Sequence, residues 1–458
     1  MQSSKEIERY LSDFYAFENN GASHDPSWLK SFRHSGLERF SELGFPTIKQ
    51  EDWRFTNILP LTKNSFYHAP EKQTPKVNRS EVKKHIIQES SKSVLVFING
   101  HYNKDLSDVS GLPKEIVAGS LGEYFTAHGD LIRRYLGKHL LLHNHPFAAL
   151  NTAFIDDGAF VYIPERIKST SPIQLLFLSR AQGNRLVASY PRNLVIAEKG
   201  SSATIIESYI SLSEEIYFTN TVSEVFIEEE SEVDYVKIQR ESESAFHIGT
   251  MQAEQGSQSR FTAFSLALGG AIARNDVNIN VSGEQCETML DGLYLPANDQ
   301  LVDHHTFIDH KQPNCSSREI FKGIITGSSR SVFNGKIFVR KEAQKTDSKQ
   351  TNRNLLLSDK ATVDTKPQLE IFADDVKCTH GATVGGLDAA SLFYVKSRGI
   401  SEEAARALLT VGFAGEVTNY INNVDLRKHV DSLVIERLQE KVVKTALPEI
   451  VHSESKAL

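Results

Sequence analysis

The most regular feature of the sequence is a series of short hydrophobic runs between about residues 170 and 395, each separated from the next by polar residues. The runs are rich in the β-branched and aromatic residues that strands favour, and almost none has the 3.6-residue period of a helix. Seven of them read IQLLFLS, NLVIAE, ATIIESYI, VSEVFIEE, VDYVKIQ, VNINVS and SVFNGKIFV. The pattern predicts a long, mainly β core.

The polar corners between these runs resemble one another. EKGSSA, EEESEV, EQGSQS and SGEQCE follow at intervals of roughly 26 to 30 residues, and TGSSRS has a similar composition. Such an interval is typical of a β-solenoid, in which each coil stacks on the previous one, and a β-sandwich is the alternative. The solenoid is favoured because Asn-Gly hairpin turns are scarce between runs, and Asn334-Gly335 lies within a run.

Helical patterns flank the β-rich core. Up to about residue 70, Ile7, Leu11 and Phe14 fall on one helical face, and strand and helix signals then mix up to about residue 165. After the core, Ser401 can cap a helix whose first turn is acidic. The apolar side of a second helix contains Leu426, Val430, Leu433 and Leu438.

These patterns predict three regions. They are an N-terminal helical and α/β region (1–165), a β-helix core (166–398) and a C-terminal helical domain (399–458). A helical pair after a solenoid either caps its open end or offers a docking surface to a partner. Deletion of residues 401–458 is then expected to leave the β-helix folded.

Composition narrows the functional classes. The 458 residues carry a net charge of −7 and no dense basic stripe, which argues against a nucleic-acid-binding protein. No apolar run has the length of a membrane span, and the N-terminus lacks the features of a secretory signal. The three cysteines, Cys286, Cys315 and Cys378, are odd in number and widely spaced, which indicates a reducing cytoplasm rather than a disulfide framework.

Candidate chemistry begins with DDVKCTHGATVG at residues 374–385. In a strand, Cys378 and His380 point to the same face, where a thiolate and an imidazole can both contact a borderline metal. Two ligands are too few for a zinc or iron-sulfur site, so the others would come from a partner or a cargo. From the residues alone, a small buried thiol is the favoured interpretation.

A second group of histidines is in LVDHHTFIDHKQPNCSSRE. Asp303 and His305 would share one strand face and His304 the other, a spacing that favours surface or hydrogen-bonded histidines over a metal site. His145, before Pro146, is placed for a turn or cap. The adjacent Asp374 and Asp375 would face opposite ways in a strand, which argues against an acid–base pair for sugar cleavage.

A run of ordered words within about residues 300–417 carries a family resemblance: NGKIFV, QKTD, QTNRNLLLSD, DTKPQLEI and DDVKCTHGATVG. Together they resemble the signature region of the SufB/SufD family of iron-sulfur cluster assembly scaffolds. QEDWRFTNI and HPFAALN are similar more loosely. The SufB branch typically has His-Glu where this chain has His380-Gly381, so the resemblance is to the SufD branch.

The resemblance implies a fold, partners and a site. The family fold is a right-handed parallel β-helix between helical ends, in a cytoplasmic complex with SufB and the ATPase SufC. The helices from Ser401 onward would bind a SufC-like ATPase, and His380 and Cys378 would face a SufB-like subunit. A transient iron-sulfur cluster or iron would lie at that interface, a reduced flavin could join the complex, and the isolated chain could form a homodimer.

Two other functions remain open at this point. One is a carbohydrate-active β-helix enzyme, which would need a groove lined by carboxylates. The other is a purely structural paralogue that holds SufB and SufC without a ligand site of its own. Substitution of His380 would separate that paralogue from a ligand-binding scaffold.

Overall fold

Two long β-sheets face each other in the computed structural model, which describes residues 2–20, 25–140, 142–181 and 185–441. The chain passes from one sheet to the other and back in each coil, and successive coils stack in parallel register through about seven turns. The predicted mainly β fold, a parallel β-helix with helices at both ends, is confirmed. Beyond the last coil the chain is again helical.

The strands lengthen along the chain from a few residues to about ten. They are β1 (Phe66–His68), β2 (Val94–Ile98), β3 (His101–Tyr102), β4 (Val117–Ser120), β5 (Ala159–Ile163), β6 (Ile173–Ser179), β7 (Leu186–Ser189), β8 (Arg192–Ala197), β9 (Ser202–Ser211), β10 (Phe218–Ile227), β11 (Glu232–Arg240), β12 (Phe246–Gln255), β13 (Arg260–Ala267), β14 (Ile272–Val281), β15 (Glu287–Tyr294), β16 (Leu301–His310), β17 (Ser316–Ile325), β18 (Arg330–Val339), β19 (Asp347–Leu356), β20 (Thr362–Ile371) and β21 (Lys377–Gly385).

The helices cluster before and after the solenoid. They are α1 (Gln2–Asn20), α2 (Ser27–Leu43), α3 (Leu59–Thr62), α4 (Arg79–Lys83), α5 (Leu121–Ala127), α6 (Gly129–Tyr135), α7 (Pro146–Ala153), α8 (Ala389–Ser397), α9 (Glu402–Thr418) and α10 (Val424–Lys441), with short 3₁₀ turns at Glu51–Trp53, Glu71–Gln73, Gln88–Ser90 and Leu142–Asn144. Ser401 caps α9 as predicted, because its side chain accepts a hydrogen bond from the Ala404 amide. His145 occupies the N-cap position of α7, without a side-chain cap bond.

Each coil contributes one strand to each sheet. From β8 onward the even-numbered strands form the first sheet and the odd-numbered strands form the second. Phe246 pairs with Ile272, 26 positions further along, and Arg330 pairs with Thr362, 32 positions further along. The coil length agrees with the interval between the predicted corners.

One corner of every coil is built around a residue with positive φ. Glu230, Gln258, Gln285, Asn314 and Lys345 all have φ between 58° and 61°, a conformation that bends the chain sharply. Each of their amides donates to a carbonyl of the following coil, as Gln258 does to Glu284 at 2.8 Å, and this ladder offsets the backbone strain. Four of the predicted corner texts lie in this stack, and TGSSRS lies at the opposite corner, between β17 and β18.

Helices cover the outer faces of the two sheets. Aromatic and aliphatic side chains of α1, α2 and α7 pack against Phe218, Phe246 and Ile272 of the first sheet. The last two helices pack against the outer face of the second sheet. The domain boundaries at residues 165 and 398 stay a prediction, and residues 442–458 of the last region lie outside the described chain. None of the described helices is both long and apolar enough to cross a membrane.

Candidate functional site

Within residues 2–441, as far as the structure describes them, no further coil covers the C-terminal end of the solenoid, which is called the open end below. Strands β20 and β21 are the outermost strands of the two sheets at this end. The inner-facing residues of β19 are buried beneath the following coil, whereas the residues of β21 in register with them are largely exposed. The inner face of the last coil is therefore available to another molecule.

Cys378 and His380 both lie on this inner face, two positions apart in β21. The common face that the sequence predicts follows from the strand. Cys378 is in register with Ser348 and His380 with Gln350, and both of those residues are buried. The structure thus brings the two predicted ligands together at the open end, while their role as ligands stays a prediction.

The two side chains differ in their surroundings. Cys378 is half-buried and packs against the small apolar cluster formed by Ile337, Val339, Ala343 and Ala373. Burial raises the pKa of the Cys378 thiol, which favours its neutral form in the absence of a metal. His380 is exposed. In this unpaired chain, His380 is the more accessible of the two donors.

Polar groups lie directly beneath His380. The side-chain amide of Gln350 donates to the carboxyl of Glu319 in the preceding coil at 2.7 Å. Burial raises the pKa of Glu319 to about 7, and the hydrogen bond from Gln350 acts in the opposite direction. Gln350 Oε1 and Glu319 Oε1 have no hydrogen-bond partner within the described residues. An acceptor oxygen is therefore free in the coil beneath His380.

Three exposed apolar side chains lie at the open end. Phe372 is 57% exposed and Val384 43% exposed, and Ile371 is exposed beside them. Exposed hydrophobic groups beside two unpaired strand edges are typical of a surface that meets another protein.

The predicted histidine cluster does not assemble into one site. Asp303 and His305 lie on the outer face, where Asp303 Oδ2 is 2.8 Å from Arg274 Nη1 and Oδ1 is 3.0 Å from His305 Nε2. Burial works against ionisation of Asp303, but His305 and Arg274 outweigh it and hold its pKa below the usual range. His304 points inward and stacks on Tyr294, with ring centroids 5.2 Å apart.

The remaining members of the cluster are dispersed as well. His310 points inward beside Ser317, with 2.9 Å between Nε2 and Oγ, and Cys315 lies at a corner of the solenoid. Asp374 and Asp375 lie in the corner between β20 and β21 rather than in a strand, so the expectation of opposite strand faces is wrong for them. Within the described ranges, no three His, Cys, Asp or Glu side chains are grouped as a metal site.

The C-terminal helices use their apolar side within the chain. Leu426, Val430, Leu433 and Leu438 of α10 are buried against the outer face of the second sheet, whose contributing residues include Val236, Ile238, Phe264, Leu266 and Leu293. Lys322 of β17 adds a hydrogen bond to the Phe413 carbonyl at 2.9 Å. The most exposed aromatic side chains described in this region are on α8, where Phe393 is 75% exposed and Tyr394 59%, whereas Tyr420 after α9 is 36% exposed.

Sequence reasoning did not identify the polar support of the open end. Ser348, Gln350, Asn352 and Asn354 all point inward from β19, although every residue from 347 to 354 is polar. The available signal was that the charged residues of this stretch, Asp347, Lys349 and Arg353, all fall on the opposite strand face. The role of QEDWRFTNI was not predicted either. This segment supplies a buried contact, in which the Arg274 guanidinium lies 3.8 Å from the Trp53 ring centroid.

Comparison with known proteins agrees with this architecture. A family model described as SUF system FeS cluster assembly, SufBD core domain, matches residues 177–413, and one described as SufBD protein N-terminal region matches residues 4–175. An iron-sulfur cluster assembly SufBD family protein of Synechocystis is 34% identical over 87% of this chain and 88% of its own length.

Two further relatives carry the name iron-sulfur cluster assembly protein SufD. The Escherichia coli protein is 29% identical over 93% of this chain and 95% of its own length. The Bacillus subtilis protein is 29% identical over 90% of this chain and 94% of its own length. The resemblance to the SufD branch is confirmed, and the chain belongs to the SufBD family of iron-sulfur cluster assembly proteins.

Proposed function

We propose that this chain is a non-enzymatic scaffold subunit that joins a SufB-like subunit through its open end and shares a cluster-assembly site with it. The observation that carries this proposal is the uncovered inner face of the last coil, where Cys378 and His380 lie two positions apart on the edge strand β21. A second solenoid could extend both sheets there by strand addition and bring its own ligands to the same face.

A single chain supplies only part of the proposed ligand set. His380 offers an imidazole and Cys378 a thiolate once a metal displaces its proton, whereas an iron-sulfur cluster needs about four ligands. Iron or a cluster is therefore a cargo at the interface. The free amide oxygen of Gln350 is suited to orient an imidazole N–H in the neighbouring coil, as outer groups commonly do for metal-bound histidines.

A SufC-like ATPase is proposed to bind the C-terminal helices, but on a different surface from the one that the sequence indicated. The apolar stripe of α10 is occupied by the second sheet, so the exposed face of α8 with Phe393 is the better candidate. Deletion of residues 401–458 would uncover apolar residues such as Phe264 and Leu293, so it is expected to destabilise the β-helix, in contrast to the prediction from the sequence.

A point substitution tests this docking surface more cleanly. Phe393→Ala should weaken ATPase binding about tenfold or more, because exposed aromatic residues often dominate such interfaces. Tyr15→Ala, at an exposed aromatic residue on α1, is the matched control and should bind normally. Equal binding by both variants would exclude α8 as the docking surface.

The central experiment is co-expression with SufB-like and SufC-like partners of the same organism, followed by iron and sulfide analysis of the purified complex. His380→Ala should assemble normally but carry much less iron, and Cys378→Ala should carry moderately less. Thr379→Ala lies between them on the opposite strand face and is the control.

The outcomes separate the parts of the proposal. Failure of the wild-type chain to co-purify with its partners would contradict the partnership. Normal iron and sulfide content in the His380→Ala complex would exclude His380 as a ligand and would favour a purely structural paralogue. The absorption spectrum of the same preparation tests for the reduced flavin that the resemblance implies.

Two further expectations accompany the scaffold role. Without the SufB-like subunit, the open end is expected to pair with a second copy of this chain, which light scattering of the purified chain tests. We also propose that the chain works in the cytoplasm, in keeping with three cysteines that are all free thiols. Fractionation of cells that produce the protein tests this location.

A further inference from the structure

Two of the three cysteines, Cys286 and Cys315, meet at one corner of the solenoid, whereas the third, Cys378, is at the open end. Cys286 and Cys315 each follow the corner residue with positive φ, Gln285 or Asn314, in consecutive coils. The next residues, Glu287 and Ser316, are paired in register. The two cysteines are therefore direct neighbours across the ladder, although 29 positions separate them in the sequence.

The two sulfur atoms share one environment. Cys286 Sγ and Cys315 Sγ each lie 3.3 Å from the carbonyl oxygen of Gly283. The Cys286 amide donates to Cys315 Sγ at 3.4 Å. Adjacent strands lie about 4.8 Å apart, which is within the Cα separation that a disulfide tolerates. The positions of the two cysteines are therefore compatible with a disulfide between the coils.

The other coils use hydroxyl groups at this position. Ser231, Ser259 and Thr346 occupy it in three further coils, and each hydroxyl donates to the carbonyl three residues earlier at 2.7 to 2.8 Å. The thiol of Cys286 makes the same bond at 3.3 Å. A hydroxyl therefore satisfies the structural requirement of the corner, and thiols are not needed for the turn. Two consecutive thiols add a chemistry that the other coils lack.

We propose that Cys286 and Cys315 form a redox-active dithiol that closes to a reversible disulfide between two consecutive coils. The proposed oxidant is a small peroxide. Both thiols are buried, but each directly follows an exposed corner residue. A small molecule therefore reaches the thiols from solvent by passing this corner.

Electrostatics gives the two thiols different roles. The side-chain hydrogen bond between the two thiols lowers the pKa of Cys286 and, together with burial, raises the pKa of Cys315. Cys286 is therefore the thiol that ionises and attacks first, since the thiolate is the nucleophile. Cys315 is the resolving thiol.

The reaction balances with hydrogen peroxide alone. The Cys286 thiolate attacks one peroxide oxygen, the O–O bond breaks, and the departing hydroxide takes up a proton to give water and a sulfenic acid on Cys286. Cys315 Sγ then attacks the sulfenic sulfur, the S–O bond breaks, and a second water leaves with the Cys315 proton. Two electrons pass from the thiols to the peroxide, and a dithiol reductant reverses the change.

The experiment is thiol counting on the full chain before and after peroxide, with peptide mapping by mass spectrometry. The wild-type count should fall from three to one and return to three after reduction, with a linked peptide that joins residues 286 and 315. Cys378→Ser is the control, and its count should fall from two to zero with the same link. Three unchanged thiols, or a link through Cys378, would overturn the proposal.

Serine variants assign the order of attack and separate chemistry from folding. Because serine is the residue of neighbouring coils, Cys286→Ser and Cys315→Ser should fold normally, which their melting curves check. With a sulfenic-acid trapping reagent, peroxide-treated Cys315→Ser should carry one adduct on Cys286, and Cys286→Ser should carry none on Cys315. The reverse pattern would overturn the assignment of the attacking thiol.

Discussion

The two ends of the solenoid are built differently. At the N-terminal end the outermost strands are β3, of two residues, and β4, of four, each in antiparallel pairing. At the C-terminal end they are β20, of ten residues, and β21, of nine, in parallel pairing. Short edges give another chain little to pair with, whereas long edges present a row of free N–H and C=O groups. The C-terminal end is the one suited to receive a second sheet.

Burial differs between the last coil and the coil before it, although their strands are in register. Gln350 is fully buried in β19, while His380, its neighbour in β21, is exposed. The difference does not come from composition, since β19 is the more polar of the two strands. It comes from the presence or absence of a following coil. The inner-face residues of one coil in a solenoid are therefore buried by the coil that stacks on it.

The largest expected effect tests this contrast through packing. Phe333 lies fully buried on the inner face of β18, 5.2 Å from the ring of Phe321, so Phe333→Ala should lower the free energy of unfolding by about 3–5 kcal/mol. Val384→Ala, on the inner face of the open coil, should lower it by less than about 1 kcal/mol. Urea unfolding of both variants measures the difference, and equal losses would mean that the last coil is as tightly packed as the others.

A smaller effect concerns the buried carboxyl beneath the open end. Burial raises the pKa of Glu319 from 4.5 to about 7. The contribution of the protonated Glu319 carboxyl to the free energy of unfolding is therefore fully present below about pH 4.5 and is lost as the pH rises through about 7. Glu319→Gln should increase the free energy of unfolding at pH 8 by roughly 2–3 kcal/mol and change it little at pH 5. Unfolding curves at the two pH values test this, and an equal gain at both would point to packing instead of ionisation.

The smallest effect on stability is expected at the rim. Val384→Lys places a charge on an exposed inner-face position, so the free energy of unfolding should change by no more than about 0.5 kcal/mol. The same charge should prevent pairing with a SufB-like subunit or a second copy, because it would be buried without a partner. Ile48→Lys, at another exposed residue, is the control. Normal pairing by Val384→Lys in light scattering would remove the open end from the proposed interface.

The repeating corners made the fold predictable, because each coil must turn at the same place to stay in register with the last. The strand period likewise gave the common face of Cys378 and His380, and local capping chemistry gave the start of α9 at Ser401. The use of the apolar stripe of α10 was not predictable, since its pattern is the same whether it contacts a partner or the chain's own sheet.

The sequence by itself determined the local properties of this protein: the β-rich runs, the coil interval, the helical ends and the side of a strand on which each residue lies. Only the tertiary structure decided which coil lacks a neighbour and which side chains meet between coils. Cys286 and Cys315 are in contact because their coil spans 29 residues, and a coil one residue longer would place the second thiol out of register. The physical reason is that side-chain direction follows from backbone geometry over two or three residues, whereas register depends on the length and turns of a whole coil.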